Sequence, residues 1–284
     1  MTAGGEAGPA TVTVVIVNYR SGDHLRRCLR SLEGERLSLR VRVVDNGSRD
    51  GSLEGVEEGG PMAVEVIRNP ENRGFAVAVN QALKSVDTPW VMLLNPDCEV
   101  IGDALGRLVA ALETHLGAGM IGPRLENPDG SLQHACRRHL PDPVGVWRRL
   151  AGGVPLPDEP PGPWPVEAIS GACMMIRRRA LEEVGGLDES FFMHWEDLDW
   201  CKRFGDAGWR VLYLPAARVL HYKGVSSRSR PLRVLWYKHA GIFRFYRKHY
   251  GAPRYWLPAA PILLAVFGLF VTRAARLLVR RRNG

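Results

Sequence analysis

No aspartate or glutamate follows Asp206, although 16 of the 38 lysines and arginines do. The first 206 residues set 22 basic against 30 acidic side chains and are net −8, while the tail carries +16. Cysteine is scarce too: Cys28, Cys98, Cys136, Cys173 and Cys201 are odd in number and form no C-x-x-C pair. That excludes a disulfide framework and a zinc knuckle and points to a reducing cytosol. Met1 to Ala10 has no basic stretch leading into an apolar one, so no cleavable secretory signal is expected, and Asn46-Gly47-Ser48 is then a sequon by chance. No G-x-x-x-x-G-K-[ST] occurs, which removes a P-loop, and no internal repeat is visible. Between Trp256 and Thr272 there is no charged residue at all.

What is present is enough apolar sequence, 45% of 284 residues, for one substantial core. Thr11 to Val17, Arg40 to Val44, Ala63 to Ile67 and Trp90 to Leu94 read as short, nearly continuous apolar strands, as in a parallel sheet covered on both faces. Asp23 to Leu32 and Phe75 to Val86 have helical spacing between them, so the class is α/β, with a mostly parallel central sheet and flanking helices. Gly102 to Leu116 is a further helix, and Leu140 to Pro165, rich in Pro and Gly, reads as a mobile connection. Beyond it Ala168 to Arg177 is expected as a strand, Arg178 to Val184 and Trp195 to Ala207 as helices, and Trp209 to Leu214 and Arg218 to Tyr222 as two short strands. Pro231 to Tyr250 is an amphipathic helix and Pro258 to Arg282 an apolar, then basic one.

Ligands of such sheets bind beyond the carboxyl ends of the strands. Those ends here are Asn18-Tyr19-Arg20, Asp45-Asn46-Gly47-Ser48, Asn69 to Gly74 and Asn95-Pro96-Asp97-Cys98-Glu99, all polar. Asp45 closes a tight Asx turn or accepts the imide N–H of a uracil or thymine. Asp97 and Glu99 follow an apolar strand, where a hard cation bridging phosphates would find oxygen ligands; the plainer reading is an acidic cap on the next helix. Glu196, Asp197 and Asp199 crowd a helix start, which the helix dipole alone would favour, but one of them can also serve as a base. His221 at a strand end reads on its own as an ordinary polar residue. Gly117 to Gly122 satisfies G-x-G-x-x-G but follows a helical pattern and precedes Pro123, the wrong context for a dinucleotide site.

Taken in series, V-x-I-V-N-Y, V-D-N-G-S-x-D-G-S, N-x-G-F-A-x-A-x-N, L-L-N-P-D, S-G-A-C-M-M-I-R-R, F-M-H-W-E-D-L-D-W-C-K-R and H-Y-K-G resemble family 2 glycosyltransferases, in particular the rhamnosyltransferase-like branch of bacterial cell-surface glycan synthesis. The resemblance covers about Val12 to Tyr250. It implies a GT-A fold and single-displacement, inverting transfer of a sugar, rhamnose or a similar one, from a dTDP-, UDP- or GDP-sugar to a glycan or lipid-linked acceptor. A divalent cation, Mg²⁺ or Mn²⁺, is the implied cofactor. On this likeness Asn18, Tyr19, Arg20, Asp45, Asn46, Asn72, Gly74, Asn80 and Asn95 face the nucleotide. Asp97 and His221 hold the metal; the usual D-x-D is here Asn95-Pro96-Asp97, which brings Glu99 in as a third candidate. Asp197 is the implied base with Glu196 beside it, and Gly171, Trp195 and Asp199 meet the acceptor. Arg20, Arg73 and Lys223 are candidate cations for a departing diphosphate.

The expected layout is a flexible stretch over 1–10, a catalytic domain over 11–230 with a nucleotide half at 11–125 and an acceptor half at 166–230, and C-terminal helices over 231–284. The apolar run followed by Arg273, Arg276, Arg280, Arg281 and Arg282 suits a membrane surface on the cytoplasmic side better than a nucleic-acid groove. No nucleic-acid partner is expected, and an oligomer is not excluded. Two other readings compete: a nucleotidyltransferase, which lacks its Gly-rich, Lys-bearing loop in Val14 to Asp23, and a basic binding module, which leaves Asp97, Glu196 and Asp197 without a purpose.

Overall fold

Six of the seven residues of the opening strand are valine, isoleucine or threonine, and β1 (Val12–Asn18) is buried along its whole length. The computed structural model describes residues 12–152, 159, 161–224 and 231–282, without the side chains of 277–282; the expected flexible 1–10 lies outside them. β1 lies parallel between β2 (Leu39–Asp45) and β4 (Trp90–Leu94), and β3 (Glu65–Arg68) extends the parallel set beyond β2.

Alternate residues of β1 serve two cores, which is why its apolar run is unbroken. Val12, Val14 and Ile16 pack with Leu25, Cys28 and Leu32 of α1 (His24–Leu32) and with α3 (Ala104–Thr114). Val15 and Val17 pack with α2 (Phe75–Leu83), α5 (Arg178–Val184), α6 (Glu196–Asp206) and α7 (Pro231–His249). Along α1 the buried Leu25, Cys28, Leu29 and Leu32 follow the three-and-four spacing of a one-sided helix.

Past β4 the sheet becomes mixed. The order is β3-β2-β1-β4-β8-β6-β9-β5, with β5 (Cys98–Ile101), β6 (Ala118–Glu126), β8 (Cys173–Arg177) and β9 (Arg210–His221); β7 (Trp164–Val166) pairs with β9 off this path. β4–β8, β6–β8 and β5–β9 are antiparallel and β6–β9 is parallel.

Several expectations are corrected. The G-x-G-x-x-G stretch lies in and beside strand β6, and its glycines make room for neighbours: a Cβ on Gly119 would sit 2.8 Å from Phe204 and one on Gly122 3.0 Å from Ile169. The two short strands after Trp209 are one strand, because residues 215–217 of β9 bulge out of register against Pro123/Arg124 of β6 and absorb Pro215. The connection from Leu140 to Pro165 holds a helix, α4 (Pro143–Leu150), with Pro143 in its first turn and the Asp142 carboxylate accepting the Gly145 N–H at 2.8 Å. β8 begins at Cys173, not Ala168, because Ser170 and Gly171 turn away toward α6.

The C-terminal helices are not detached. α7 buries Ile242, Phe245 and Tyr246 in the second core, and α8 (Trp256–Arg282) returns along it, packing Ala259, Ile262, Leu263 and Val266. The stretch Pro253–Arg276, mean hydropathy 1.8, is long and apolar enough to cross a membrane.

Candidate active site

The strand ends converge as the parallel pairing requires. Asn18 and Asp45 are register partners on β1 and β2, and Asn18 Nδ2 donates to Asp45 Oδ1 at 2.7 Å and to Ser52 Oγ at 2.8 Å. Asp45 Oδ2 accepts the Ser48 N–H at 3.1 Å, so the Asx turn is real; each carboxylate oxygen keeps a second lone pair. The next residue, Asn46, ties the 69–74 loop down: Nδ2 donates to the Gly74 carbonyl at 3.0 Å, and Oδ1 accepts from Asn69 and from the Arg73 N–H. A Cβ on Gly74 would meet Phe192 at 3.0 Å, and with φ +94° the position favours glycine.

A cleft of about 410 Å³ opens over these ends, within the range usual for small-molecule sites. Its wall on the side of these strand ends includes Tyr19, Asn46, Asn72 and Asn95, and its other wall Gly171, His194, Glu196, Asp197 and Lys238. Asp97 and His221 stand in the same cleft, placed together by one strand pairing: β5 and β9 set Cys98 opposite His221, and Asp97 immediately precedes β5. His221 Nε2 lies 3.4 Å from Asp97 Oδ1, both residues buried. Gln133 fixes the ring. Its amide NH₂ donates to the His221 carbonyl at 2.7 Å and to Asn127 Oδ1 at 2.9 Å, which leaves Oε1 to accept from His221 Nδ1 at 2.9 Å. Nε2 therefore carries the lone pair, aimed at Asp97, as in metal-binding histidines whose other nitrogen is anchored.

These residues fit a divalent cation. Cys98 is close enough to join a three-ligand group with Asp97 and His221, but burial and then the Asp97 charge push its thiol well up, and it donates to the Ala172 carbonyl at 3.5 Å. The carboxylate oxygen and imidazole nitrogen left are ligands a divalent cation accepts. Glu99 is not brought in; it is half-buried on β5, opposite Leu220 and away from the cleft lining.

On the opposite wall, Asp197 Oδ2 receives Arg138 Nη2 at 2.5 Å and the Gly171 N–H at 3.2 Å, and Oδ1 receives the Leu198 N–H at 2.8 Å. Burial would raise this carboxyl, but the Arg138 charge with the Gly171 amide outweighs it and holds it below the usual range. Its neighbour behaves oppositely: burial, then the Asp197 charge, pushes the Glu196 carboxyl upward far enough to keep its proton near neutral pH. Gly171, expected to let an acceptor near the backbone, lines the cleft and also makes room for Asp197, whose Cβ would lie 3.2 Å from an added Cβ.

The turn before α6 is held in an uncommon conformation, with His194 at φ 69° and Trp195 at φ 78°. α7 keeps it there: Trp195 Nε1 donates to the Lys238 carbonyl at 2.7 Å, and the ring occupies space that a Cβ on Gly241 would enter at 2.3 Å from Trp195 Cδ1. Burial, then Lys238, lowers His194 to about 4, so it stands neutral in the cleft wall with Nε2 buried and unpartnered.

Residues 13–185 match the family described as Glycosyl transferase family 2, and residues 161–279 match Glycosyl transferase family group 2. The chain belongs to glycosyl transferase family 2. As a member it is an inverting glycosyltransferase of the rhamnosyltransferase-like branch, with a GT-A fold. It is 32% identical over 259 residues to the N-acetylglucosaminyl-diphospho-decaprenol L-rhamnosyltransferase of Mycobacterium tuberculosis, covering 82% of each chain. It is 26% identical to the rhamnosyltransferase WbbL of Escherichia coli K12, over 77% of this chain and 86% of that one. A mannosyltransferase from Pyrobaculum calidifontis, solved with GDP-Man and Mn²⁺, superposes with a TM-score of 0.62 at 20% identity, over 97% of this chain and 76% of that one. GalNAc-T7, solved with UDP, GalNAc and Mn²⁺, gives 0.60 at 18% identity, over 76% and 44%.

Within this glycosyltransferase the expected residues divide. Tyr19, Asn46, Asn72, Asn95, Asp97, His221, Lys223, Gly171, Glu196 and Asp197 line one cleft. Asn18, Asp45 and Gly74 sit behind its wall, and Arg20 lies outside it with its guanidinium 5.5 Å over the Tyr19 ring. Asn80 is not brought there: it joins α2 to Leu187 through bonds of 2.9 Å in each direction. Asp199 is not at the acceptor; fully buried, it binds Arg203, Lys248 and His249 at 2.7–2.9 Å and clamps α6 to α7. Trp195 supports the turn from behind. Gln133, Arg138 and Lys238 were not foreseen, since none sits in a recognisable local pattern, and His194, although inside the F-M-H-W-E-D motif, was given no role.

Proposed function

We propose that this glycosyltransferase moves rhamnose, or a similar sugar, from a dTDP-, UDP- or GDP-linked donor to a lipid-linked glycan at the cytoplasmic face of a membrane. The observation that carries the reading is that one cleft holds the Asp97–His221 pair on one side and the ionised, anchored Asp197 on the other. The mycobacterial relative, an N-acetylglucosaminyl-diphospho-decaprenol L-rhamnosyltransferase, supports the acceptor class.

In this reading Asn46, Asn72, Asn95 and Tyr19 seat the nucleotide, with Asp45 behind them to accept from the base. Asp97 and His221 would hold a divalent cation, Mg²⁺ or Mn²⁺, whose chemistry is to neutralise charge on a departing diphosphate. Asp197 accepts the proton of the acceptor hydroxyl as that oxygen bonds to the anomeric carbon and the bond to diphosphate breaks, so configuration inverts. Burial and the Asp197 charge favour the protonated form of Glu196, which suits it to donate a hydrogen bond rather than to act as that base. Arg138 and the Gly171 N–H orient Asp197, and Lys223 and Lys238 bring positive charge to the cleft wall.

The test is incubation of the purified chain with UDP-, GDP- and dTDP-sugars, following release of nucleoside diphosphate. One donor should be consumed with Mn²⁺ or Mg²⁺ and spared in EDTA. Equal release in EDTA, or none from any donor, would overturn the reading.

A further inference from the structure

The apolar surface of α8 is only partly used by the protein. Ala259, Ile262, Leu263 and Val266 pack inward, whereas Leu257, Leu264, Phe267 and Val271 point out, at 87%, 71%, 57% and 48% exposure. Across the stretch Pro253–Arg276 only 6% of the most apolar window is buried. α4 adds to this surface. Its Trp147 donates to the Pro258 carbonyl of α8 at 2.8 Å, and Val144, Trp147 and Leu150 are exposed beside it.

The exposed charges on α4 and α8 are basic. Arg148, Arg273 and Arg276 are exposed, and no acidic residue occurs anywhere beyond Asp206. A soluble partner could cover an apolar face, but outward aromatic and aliphatic side chains flanked by exposed arginines, with Asp142 half-buried and occupied as the α4 cap, match an anionic lipid surface, with ring and chain at the acyl boundary and guanidinium at the headgroups.

We infer that α4 and α8 form one face that lies along an anionic membrane, with α8 in its plane and not across it. α8 runs back beside α7, which is itself clamped to the catalytic core through Asp199, Lys248 and His249. Crossing the bilayer would strip Ala259, Ile262, Leu263 and Val266 from that core. Lying flat leaves them packed and buries the outer stripe in lipid. The same geometry places the cleft. Phe270 of α8 meets Trp236 and His239 of α7 with ring centroids 5.9 and 5.3 Å apart, and Lys238, between them in sequence, lines the cleft. The Phe270 end of α8 therefore lies one helix, α7, away from the wall that Lys238 lines, the side from which a lipid-borne hydroxyl would enter. This last step rests on the lipid-linked acceptor proposed above; the docking face does not.

The test uses the full chain and flotation with vesicles of phosphatidylglycerol and phosphatidylcholine, against phosphatidylcholine alone. Binding should favour the anionic vesicles by about tenfold or more at low salt and be released by alkaline carbonate. Leu264→Glu with Phe267→Glu should weaken it about tenfold, and Leu150→Glu by a smaller, measurable factor, with soluble donor hydrolysis unchanged. Retention through the carbonate wash would show a spanning helix and overturn the inference. So would native binding by Leu150→Glu, or a dimer broken by Leu264→Glu in a chain that ignores vesicles. Vesicle binding without donor hydrolysis would instead defeat the transferase reading alone, and hydrolysis without vesicle binding this inference alone.

Discussion

Gln133 Oε1 accepts from His221 Nδ1 at 2.9 Å and so turns Nε2 of that ring toward Asp97. Breaking this anchor should loosen the site without emptying it. Gln133→Leu is expected to lower Mn²⁺ affinity about 10- to 100-fold, as loss of such outer partners usually does. Asp97→Ala should abolish metal-dependent nucleoside diphosphate binding. Titration calorimetry checks both, and unchanged Mn²⁺ binding in Gln133→Leu would remove its assigned role.

Gly241 exists for Trp195. Gly241→Ala should destabilise the fold by about 1–3 kcal/mol, the usual cost of overpacking, because its Cβ enters the indole ring. In a Trp195→Ala background the same change should cost much less. Thermal unfolding of the four chains measures the coupling; equal losses in both backgrounds would show that the ring is not the obstacle.

His194 gives a pH dependence of stability with a definite sign. Its folded value, lowered by burial and then Lys238 to about 4, lies below its unfolded value near 6.5. The unfolded chain therefore binds the extra proton first, and stability present above about pH 6.5 is lost as pH falls toward 4. His194→Gln should flatten the denaturation midpoint over that window. An unchanged slope would place the acid sensitivity elsewhere.

Much of the nucleotide side could be read from sequence because parallel strands buried on both faces are unbroken apolar runs, and their ends, Asn18, Asp45 and Asn95, stand out as polar. The observed Trp90–Leu94 strand and Arg178–Val184 helix coincide with the expected ones. The other wall was harder because it is assembled by distant pairings. His221 reaches Asp97 only through the β5–β9 ladder, and Arg138 reaches Asp197 from a connection whose backbone pairs with Ala168. Lys238 arrives on a helix that looked like part of a tail. The Asp142–Pro143 cap was a readable signal for α4, hidden by the surrounding prolines and glycines. Asp199 was legible as one of three acids at a helix start, but nothing in the sequence told an ion-pair clamp with Arg203 from a binding group.

In the proposed reaction Asp197, and not Glu196, takes the acceptor proton. The most direct measurement compares single-turnover transfer and donor affinity in Asp197→Asn and Glu196→Gln. The account predicts that Asp197→Asn binds donor as the native chain does but transfers at least about 10²-fold more slowly, while Glu196→Gln, which keeps a hydrogen-bond donor, loses far less. Near-native transfer by Asp197→Asn, or the large loss in Glu196→Gln alone, would contradict it.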